Sequence, residues 1–462
     1  MKGMNIMGLL KTNYKVYRKR NKYLYIFPEI PYWLVVNENV KNIITLFKEN
    51  NHLKDVINMY YKKYGGDFQK INETVYSLYN RLKEHQVLEG VVKNNLKWEG
   101  IIDSAGISLT EECNLKCFYC YADANKSINS NKKYLEFELI KKYLDGVKKF
   151  ASENCYIQIT GGEPLLFKDI LFDTVKYIRK IHLPHITINT NGILVDDEVA
   201  KFFEDYNVDN VTVSLDGVNP SIHDKYRGKN SFEEAIKAIE TLKKYKLNIT
   251  ASMTVHKENF GVLKDFIKYC SKNKITAFTN PLFPVGRGES MKHLHVPLDR
   301  FFNTIADWYK QGIFTADELV GTFFATVIMP LRDLHTRHYC GAALSTVYLD
   351  TDGSVYPCAN TLGKDFFRGG NIQNDEFEDI WTNSPNFKKI REKISVDDIN
   401  PCTNCDIKYI CGGYCRGVTY QVTNKIDVPF IWCKEIKKAI IDAMWTIGEH
   451  PEVYKGVKDK FV

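Results

Sequence analysis

The sequence lacks any apolar run long enough to cross a membrane. The N-terminal run Met7–Leu10 gives way to charged residues from Lys11 onward, whereas a membrane-spanning helix needs about 20 consecutive apolar residues. The run is also too short for the apolar part of a secretory signal peptide. Internal repeats and low-complexity tracts are missing as well, which argues against a repeat protein. We therefore expect a cytoplasmic protein without a membrane partner.

A strong charge of either sign is also missing. The chain has 63 basic and 56 acidic residues, and its net charge of +7 is spread over 462 residues. This is weak support for a nucleic-acid partner, because a solvated, slightly basic surface explains it equally well. Apolar residues make up 44% and charged residues 26% of the chain, as in ordinary globular proteins. At about 150 residues per domain, the length predicts roughly three domains.

Cysteine, by contrast, is plentiful, with twelve residues at uneven spacings. In a reducing compartment such cysteines are more often metal ligands than disulfides. Cys113, Cys117 and Cys120 share one tight loop just after a short apolar run. Three thiolates are one fewer than a cubane iron–sulfur cluster needs, so the loop predicts a cluster with one iron open to another molecule. Structural zinc is the alternative, but it needs four closed ligands and no fourth is obvious nearby.

Residues 1–95 form a small separate unit. Two apolar stretches, Tyr23–Phe27 and Tyr32–Val36, flank a Pro-Glu-Ile-Pro segment and predict a hairpin. Three amphipathic helical patterns follow: Val40, Ile43, Ile44 and Phe47; Val56, Met59 and Tyr60; and Val75, Leu78, Tyr79 and Leu82. A strand pair followed by three helices predicts a winged helix-turn-helix. No helix here has a dense basic face, which argues against a nucleic-acid partner, and a purely structural N-terminal cap is an alternative.

Between residues 100 and 297 strand and helix patterns alternate. This alternation predicts an α/β fold with a parallel sheet and right-handed crossovers. Six units suit a partial (β/α)6 TIM-like barrel, whose chemistry belongs at the carboxyl ends of the strands. The predicted strands are Gly106–Leu109, Tyr156–Thr160, Ile186–Thr190, Val211–Leu215, Ile249–Thr254 and Ile275–Thr279, and helical patterns between them include Leu139–Phe150 and Phe232–Lys244.

The remainder divides into three segments. Residues 298–339 read as a helical bridge. Residues 340–433 are rich in cysteine, glycine, proline, asparagine and aspartate, which is typical of a small domain folded around metal. Residues 434–462 form a closing helix and tail, with the helix predicted at Glu435–Ile447. Two further cysteines, Cys155 and Cys270, fit buried structural thiols.

The cysteine loop resembles the signature of the radical S-adenosylmethionine superfamily. The match includes all three cysteines and the aromatic Tyr119 before the last one. The second predicted strand ends in Gly161, Gly162 and Glu163 followed by proline, which matches the family's GGEP motif. Two glycines let the backbone approach a ligand closely. On its own, this motif would be an ordinary strand-to-helix turn; after the cluster loop it is more specific.

The resemblance implies S-adenosyl-L-methionine as cofactor, held at the ends of successive strands. The implied contacts are Tyr119, Gly161, Gly162, Glu163, Asn191, Ser214, Arg227 and Asn259. Ser214 and Arg227 would meet the cofactor's carboxylate; alternatively, the serine caps a helix and the arginine forms a surface ion pair. The segment Pro284–Gly288 would line the ribose and adenine side. The implied reaction is reductive cleavage to a 5′-deoxyadenosyl radical that takes a hydrogen atom from the substrate.

Seven more cysteines in the C-terminal third resemble the SPASM iron–sulfur domain. The resemblance implies two auxiliary clusters and thus three [4Fe–4S] clusters in all; interleaved zinc ribbons are the alternative. Cys340, Cys358 and Cys415 would hold the first auxiliary cluster, and Cys402, Cys405, Cys411 and Cys433 the second. The first set lacks a fourth cysteine, so either a non-cysteine group binds there or the iron is open. His335 and His338 lie just before Cys340, although such a pair more often packs or forms hydrogen bonds. Our hypothesis is that a substrate cysteine thiolate binds that iron.

The N-terminal unit resembles the peptide-recognition element of many enzymes that modify ribosomally made peptides. That family captures a leader peptide as an extra strand on a sheet edge.

We therefore expect an enzyme that matures a precursor peptide and takes electrons from a flavodoxin- or ferredoxin-type donor. A cysteine thioether is the favoured product, with carbon–carbon crosslinking or other oxidation as alternatives. A sulfatase-maturase-like oxidation to formylglycine is the runner-up, although Ala359 stands where many such enzymes carry an acid. An electron-transfer or docking protein without catalysis is the non-enzyme alternative. The sequence identifies no catalytic base.

Overall fold

The computed structural model describes residues 9–88, 98–124, 134–331 and 340–453. The N-terminal unit begins with three antiparallel strands in the order β1 (Lys15–Lys19), β2 (Lys22–Phe27) and β3 (Tyr32–Asn37). The predicted hairpin is confirmed as β2 and β3. Strand β1 is missed by the sequence analysis, because it is an exposed edge strand with mainly charged residues and no alternating apolar face.

Three helices follow this small sheet: α1 (Glu38–Glu49), α2 (Leu53–Tyr64) and α3 (Phe68–Glu84). Their apolar faces form a core with the strands that is separate from the barrel core. The prediction for Met59 is wrong, since its side chain is 44% exposed on the outer face of α2. The element order fits the predicted hairpin and three helices, whereas the winged helix-turn-helix arrangement and the domain boundaries stay predictions.

The barrel sheet contains the six predicted parallel strands in sequence order. They are β4 (Ile102–Ser108), β5 (Ala151–Thr160), β6 (His185–Thr190), β7 (Asn210–Ser214), β8 (Ile249–Val255) and β9 (Thr276–Pro281). Helices cross between them: α4 (Phe137–Phe150), α5 (Lys168–Lys180), α6 (Asp197–Asp205), α7 (Pro220–Arg227), α8 (Ser231–Lys244) and α9 (Leu263–Asn273). Because all six strands run the same way, their carboxyl ends meet at one edge.

The bridge contains α10 (Leu298–Lys310) and α11 (Phe323–Ile328), and its end, with His335 and His338, lies outside the described residues. The C-terminal region then extends the barrel sheet. Strand β10 (Thr346–Leu349) pairs in parallel with β4, and β11 (Ser354–Tyr356) and β12 (Gly370–Asn371) continue it antiparallel. The cysteine-rich region is thus joined to the barrel by backbone hydrogen bonds.

Five more helices complete the fold. They are α12 (Phe377–Asn383), α13 (Pro385–Lys393), α14 (Lys408–Cys411), α15 (Arg416–Thr423) and α16 (Cys433–Glu449). The last confirms the predicted closing helix and packs against α10 and β3. Through β3, the N-terminal unit rests on the C-terminal region. Among the described residues, no helix is both long and apolar enough to span a membrane.

Candidate functional site

The cluster loop lies at the carboxyl edge of the barrel sheet, directly after β4. Its cysteines, Cys113, Cys117 and Cys120, are all half-buried. The Leu109 N–H donates to the Thr160 carbonyl over 2.8 Å, which holds the start of the loop beside the end of β5. The structure therefore brings the three predicted ligands to the edge where the barrel's chemistry is expected.

A second loop, after β9, holds the cluster loop in place. The Arg287 N–H donates to the Cys120 carbonyl over 3.0 Å, and its Nε donates to the Cys117 carbonyl over 2.8 Å. Gly286 has φ +54°, and a Cβ there would lie 2.5 Å from the carbonyl oxygens of Cys120 and Tyr121. The Pro284–Gly288 segment is thus a support for the cluster loop, and its contact with ribose and adenine stays a prediction.

The Gly-Gly-Glu motif packs against the chain just before the cluster loop. The N–H groups of Gly162 and Glu163 donate to the carbonyls of Thr110 and Glu112, over 2.6 and 2.8 Å. A Cβ on Gly162 would lie 2.0 Å from the Glu112 oxygen. One physical role of these glycines is therefore close packing between β5 and the cluster loop.

The Glu163 side chain is fully buried and turned inward. Its carboxylate accepts hydrogen bonds from Thr190 Oγ1 at 2.8 Å, the Asn191 N–H at 2.7 Å and the Leu165 N–H at 3.1 Å. Burial raises the pKa of this carboxyl to about 7, and the three donors partly offset that rise. Glu163 therefore joins the ends of β5 and β6; its contact with the cofactor's ammonium group stays a prediction.

Asn191 links the end of β6 to the cluster loop. Its Nδ2 donates to Asn114 Oδ1 over 2.7 Å and to Cys113 Sγ over 3.8 Å. Its Oδ1 accepts the Ile193 N–H over 3.0 Å. Hydrogen bonds to a cluster sulfur are one of the protein's means of setting cluster properties, and Asn191 is placed to supply one.

A buried ion pair occupies the ends of β7 and β8. The Arg227 guanidinium, with a side chain only 10% exposed, forms two hydrogen bonds with the fully buried Asp216 carboxylate. The Thr254 N–H also donates to Asp216, over 2.9 Å. The alternative of a surface ion pair for Arg227 is therefore wrong. Ser214 is half-buried at the end of β7, opposite Ser252 of β8.

Asn259 is fully buried, and its amide is used inside the protein. Its Nδ2 donates to the carbonyls of Asp216 and Thr254 over 3.2 and 2.9 Å, and its Oδ1 accepts the His256 N–H over 2.8 Å. This residue fixes the turn after β8. The predicted contact of its side chain with the cofactor is not seen among these hydrogen bonds and stays a prediction.

A small aromatic group next to the cluster loop contains buried polar atoms that have no partner among the described residues. They are Tyr119 Oη and both ring nitrogens of His256. The two rings are 5.9 Å apart, and Tyr226 lies 4.3 Å from His256. Burial lowers the pKa of His256, so its ring is neutral and can both donate and accept. Buried polar atoms normally have partners, so this group fits a bound polar ligand such as the adenosine of S-adenosylmethionine.

The thiols of the cluster loop also fit a metal cluster. Burial raises the pKa of Cys113 to about 11 and raises that of Cys117, while Arg227 lowers the pKa of Cys117. Because metal binding needs thiolates, these side chains become anionic only with a cation beside them. In the described part of the chain, no three metal-binding side chains converge closely enough to hold one ion; a cubane cluster is larger and keeps its ligands further apart.

The C-terminal cysteines fall into the two sets that the resemblance implies. In the first auxiliary set, the charges of Cys415 and Cys340 act on Cys358. In the second auxiliary set, the charges of Cys405, Cys433 and Cys402 act on Cys411. Burial raises the pKa of Cys415 to about 11 and that of Cys411 to about 12. The structure brings the members of each set together, and their assignment as ligands stays a prediction.

Three residues without a role in the sequence analysis belong to this region. His256 and Asp216 follow the ends of β8 and β7, and Asp350 follows β10. Burial raises the pKa of Asp350 to about 6, so this carboxyl can take up a proton near neutral pH. All three are polar residues just after a strand whose carboxyl end faces the site. This pattern could have identified them from the sequence. The remaining cysteines, Cys155 and Cys270, are buried, as expected for structural thiols.

Two family models match this chain: the Radical SAM superfamily over residues 107–270, and SPASM, an iron–sulfur cluster-binding domain, over residues 340–406. The chain is similar to the mycofactocin maturase MftC of Mycolicibacterium smegmatis, with 27% identity over 332 residues that cover 71% of this chain and 81% of the relative. It is also similar to the cysteine-type anaerobic sulfatase-maturating enzyme of Clostridium novyi, with 28% identity over 334 residues that cover 66% and 86%.

A solved structure extends the likeness in fold beyond the barrel. The crystal structure of Streptococcus suis SuiB bound to precursor peptide SuiA has a TM-score of 0.58 at 14% identity, and covers 93% of this chain and 100% of SuiB. Together with the site geometry, these matches support S-adenosylmethionine and iron–sulfur clusters as cofactors. The chain contains a Radical SAM domain and a SPASM domain and is homologous to the mycofactocin maturases, which is consistent with an enzyme.

Proposed function

We propose that this enzyme matures a ribosomally synthesised precursor peptide by joining a cysteine sulfur to a peptide carbon. Support comes from the similar mycofactocin maturase and from the fold shared with SuiB, a protein solved with a precursor peptide. The N-terminal unit, which precedes the barrel and rests on α16, would hold the leader segment of the peptide. Among the described residues, β1 is an edge strand of this sheet, and an extended peptide would add to it as a further strand.

The barrel residues position the cofactor and exclude water. When bound, S-adenosylmethionine supplies a 5′-deoxyadenosyl radical that removes a hydrogen atom from the substrate. Arg227 and Asp216 keep the ends of β7 and β8 together, and Asn191 ties the end of β6 to the cluster loop. Tyr119 and His256 would bind the adenosine through their unpartnered polar atoms.

The observation that carries the thioether is the composition of the first auxiliary set. It gathers three cysteines, Cys340, Cys358 and Cys415, whereas the second auxiliary set gathers four. We propose that a thiolate from the substrate supplies the fourth ligand of the first set. Binding would remove the thiol proton and hold the sulfur for bond formation. Three [4Fe–4S] clusters and an external flavodoxin- or ferredoxin-type donor complete the proposal.

The proposed reaction balances with the loss of two hydrogens. The carbon–hydrogen bond gives its hydrogen atom to the deoxyadenosyl group, and the thiol proton goes to solvent. Formation of the carbon–sulfur bond leaves one electron, which an auxiliary cluster held by the C-terminal cysteines would accept. The product is therefore lighter than the substrate by about 2 Da per crosslink.

The experiment uses the anaerobically reconstituted enzyme and short cysteine-bearing candidate peptides, for which open reading frames next to the gene are the first source to search. With reductant and S-adenosylmethionine, we expect 5′-deoxyadenosine and a loss of about 2 Da from the peptide. The matched control is the same peptide with its cysteine changed to alanine, which should not be processed. Equal processing of the control would reject the substrate-thiolate ligand, and carbon–carbon crosslinking would then be favoured.

Oxidation to formylglycine is the second candidate, because the similar Clostridium novyi protein is a sulfatase-maturating enzyme. Against it, Ala359 follows Cys358 where an acidic residue is expected for that reaction. Trapping of an aldehyde in the product by a hydrazide probe would support this candidate. Absence of 5′-deoxyadenosine from a fully loaded enzyme with its peptide would instead favour an electron-transfer or docking protein.

A further inference from the structure

Arg416 is an arginine buried completely beside a predicted cluster ligand. It is the first residue of α15, directly after Cys415, and its relative exposure is 0%. Arginine is almost never fully buried unless it is paired. Its complete burial therefore needs a physical explanation.

Backbone carbonyls hold the Arg416 guanidinium. Nη1 donates to Ile426 over 3.1 Å and to Val428 over 2.6 Å, and Nη2 donates to Gly413. Nε has no hydrogen-bond partner among the described residues. The carbonyls fix the orientation of the group, but they are neutral and leave its positive charge uncompensated.

No carboxylate forms an ion pair with Arg416 in the part of the chain that the structure describes. Arg227, the buried arginine of the barrel, has such a partner in Asp216. A buried charge without a counter-charge is strongly destabilising. The negative charge that compensates Arg416 must therefore come from another kind of group.

Burial lowers the pKa of Arg416, and four cysteines raise it when they are thiolates. They are Cys340 and Cys415 of the first auxiliary set and Cys402 and Cys411 of the second. The Arg416 guanidinium donates to the carbonyl of Gly413, which lies between Cys411 and Cys415 in the chain, and these cysteines become thiolates when they bind iron. Two bound clusters would therefore supply negative charge near the guanidinium.

We propose that Arg416 is the shared counter-ion of the two auxiliary clusters and makes each of them easier to reduce. Reduction adds one electron, and so one negative charge, to a cluster. A fixed positive charge nearby stabilises this reduced form more than the oxidised form, because the surroundings have a low dielectric constant. Arg416 is thus a positioning residue that favours electron uptake after bond formation. This inference rests on the auxiliary clusters of the proposed function, but not on the peptide reaction.

The test compares Arg416→Gln, which removes the charge, with Arg416→Lys, which keeps it. Both are made in a chain whose Cys113, Cys117 and Cys120 are changed to alanine, so that only the auxiliary clusters are observed. After anaerobic reconstitution without peptide, dithionite supplies the electrons, and electron paramagnetic resonance follows cluster reduction. Arg416→Gln should shift the midpoint reduction potentials of both auxiliary clusters to more negative values, and Arg416→Lys should shift them less. The matched control is Arg179→Gln, an arginine of the barrel that also donates to carbonyls.

Unchanged midpoints in a fully loaded Arg416→Gln protein would overturn the proposal. If Arg416→Gln does not take up iron, the iron content and midpoint reduction potentials of Arg416→Lys test the proposal instead. Full iron content and near-native midpoints in Arg416→Lys would support a role for the charge. If neither variant binds iron, Arg416 acts only through its hydrogen bonds to backbone carbonyls. That result would overturn the counter-ion role. The experiment does not measure peptide turnover. Its result can therefore be interpreted even if the proposed peptide reaction is wrong.

Discussion

At the scale of single residues, Glu163 makes stability depend on pH. Its buried carboxyl has a pKa of about 7, against an ordinary value of 4.5. Between these values the folded protein keeps a proton that the unfolded chain has lost, so the free energy of unfolding falls as pH rises and levels off above pH 7. From about pH 5.5 to about pH 7.5 this decrease should be about 2 kcal/mol.

Denaturant unfolding of the native chain and of Glu163→Gln measures this effect. Glutamine does not titrate, so the variant should lack that part of the decrease, while the titrations of all other groups are shared by both proteins. Equal pH dependence in the two proteins would show that Glu163 stays ionised in the fold, held by Thr190, Asn191 and Leu165.

The buried pair of Asp216 and Arg227 is a second residue-scale test. Asp216→Ala leaves the guanidinium buried without its partner, which should cost about 3–5 kcal/mol of unfolding free energy. The double variant Asp216→Ala with Arg227→Met should cost less than Asp216→Ala alone, since it buries no unpaired charge. Denaturant unfolding checks both. A double variant that is less stable than the single one would contradict this account.

The sequence reveals residues whose local motif is distinctive and misses those defined by burial. The cysteine loop and Glu163 are found from spacing and motif. His256 and Arg416 are not, because their significance lies in buried nitrogen atoms that have no partner among the described residues. That property depends on which distant segments pack around them, and no local pattern contains this information.

At the scale of elements, the loop after β9 determines the position of the cluster loop. Gly286→Ala would place a methyl group 2.5 Å from the Cys120 carbonyl, at a φ of +54° that alanine rarely adopts. We expect the cluster loop to shift and the first cluster to lose its iron, while the auxiliary clusters stay loaded. Iron analysis with Mössbauer spectroscopy of the reconstituted protein measures this loss.

Gly261→Ala is the matched control for that substitution. A Cβ at Gly261 meets nothing within 4 Å, so this variant should keep the iron content of the native chain. Full occupancy of the first cluster in Gly286→Ala would show that the loop after β9 can move without disturbing the cysteines.

The sequence predicts regular elements better than edge elements. The six barrel strands are found because each is apolar and lies between helical patterns. Strand β1 is missed because it is charged, and β10 to β12 are missed because they are two to four residues long. Such strands depend on backbone pairing with a neighbour, and pairing leaves little trace in the sequence.

At the scale of the whole molecule, the N-terminal unit contacts both the cysteine-rich region and the closing helix α16. Val35 of β3 packs against Gly448 of α16. On β1, Tyr17 donates a hydrogen bond to Asp406, the residue after the predicted ligand Cys405. A strand edge suited to peptide binding is thus connected to the second auxiliary set through one side chain.

Substitution at Gly448 tests whether this docking matters for peptide processing but not for radical formation. Gly448→Ala would place a Cβ 2.4 Å from Val35 Cγ2, and such overpacking costs about 1–3 kcal/mol. The N-terminal unit should shift, so KM for the precursor peptide should rise, while peptide-independent formation of 5′-deoxyadenosine stays at the native rate. The double variant Gly448→Ala with Val35→Ala relieves the overlap and should recover much of the native KM. A native KM in Gly448→Ala would show that peptide recognition does not depend on this contact, whereas loss of deoxyadenosine formation would show that the contact supports the barrel itself.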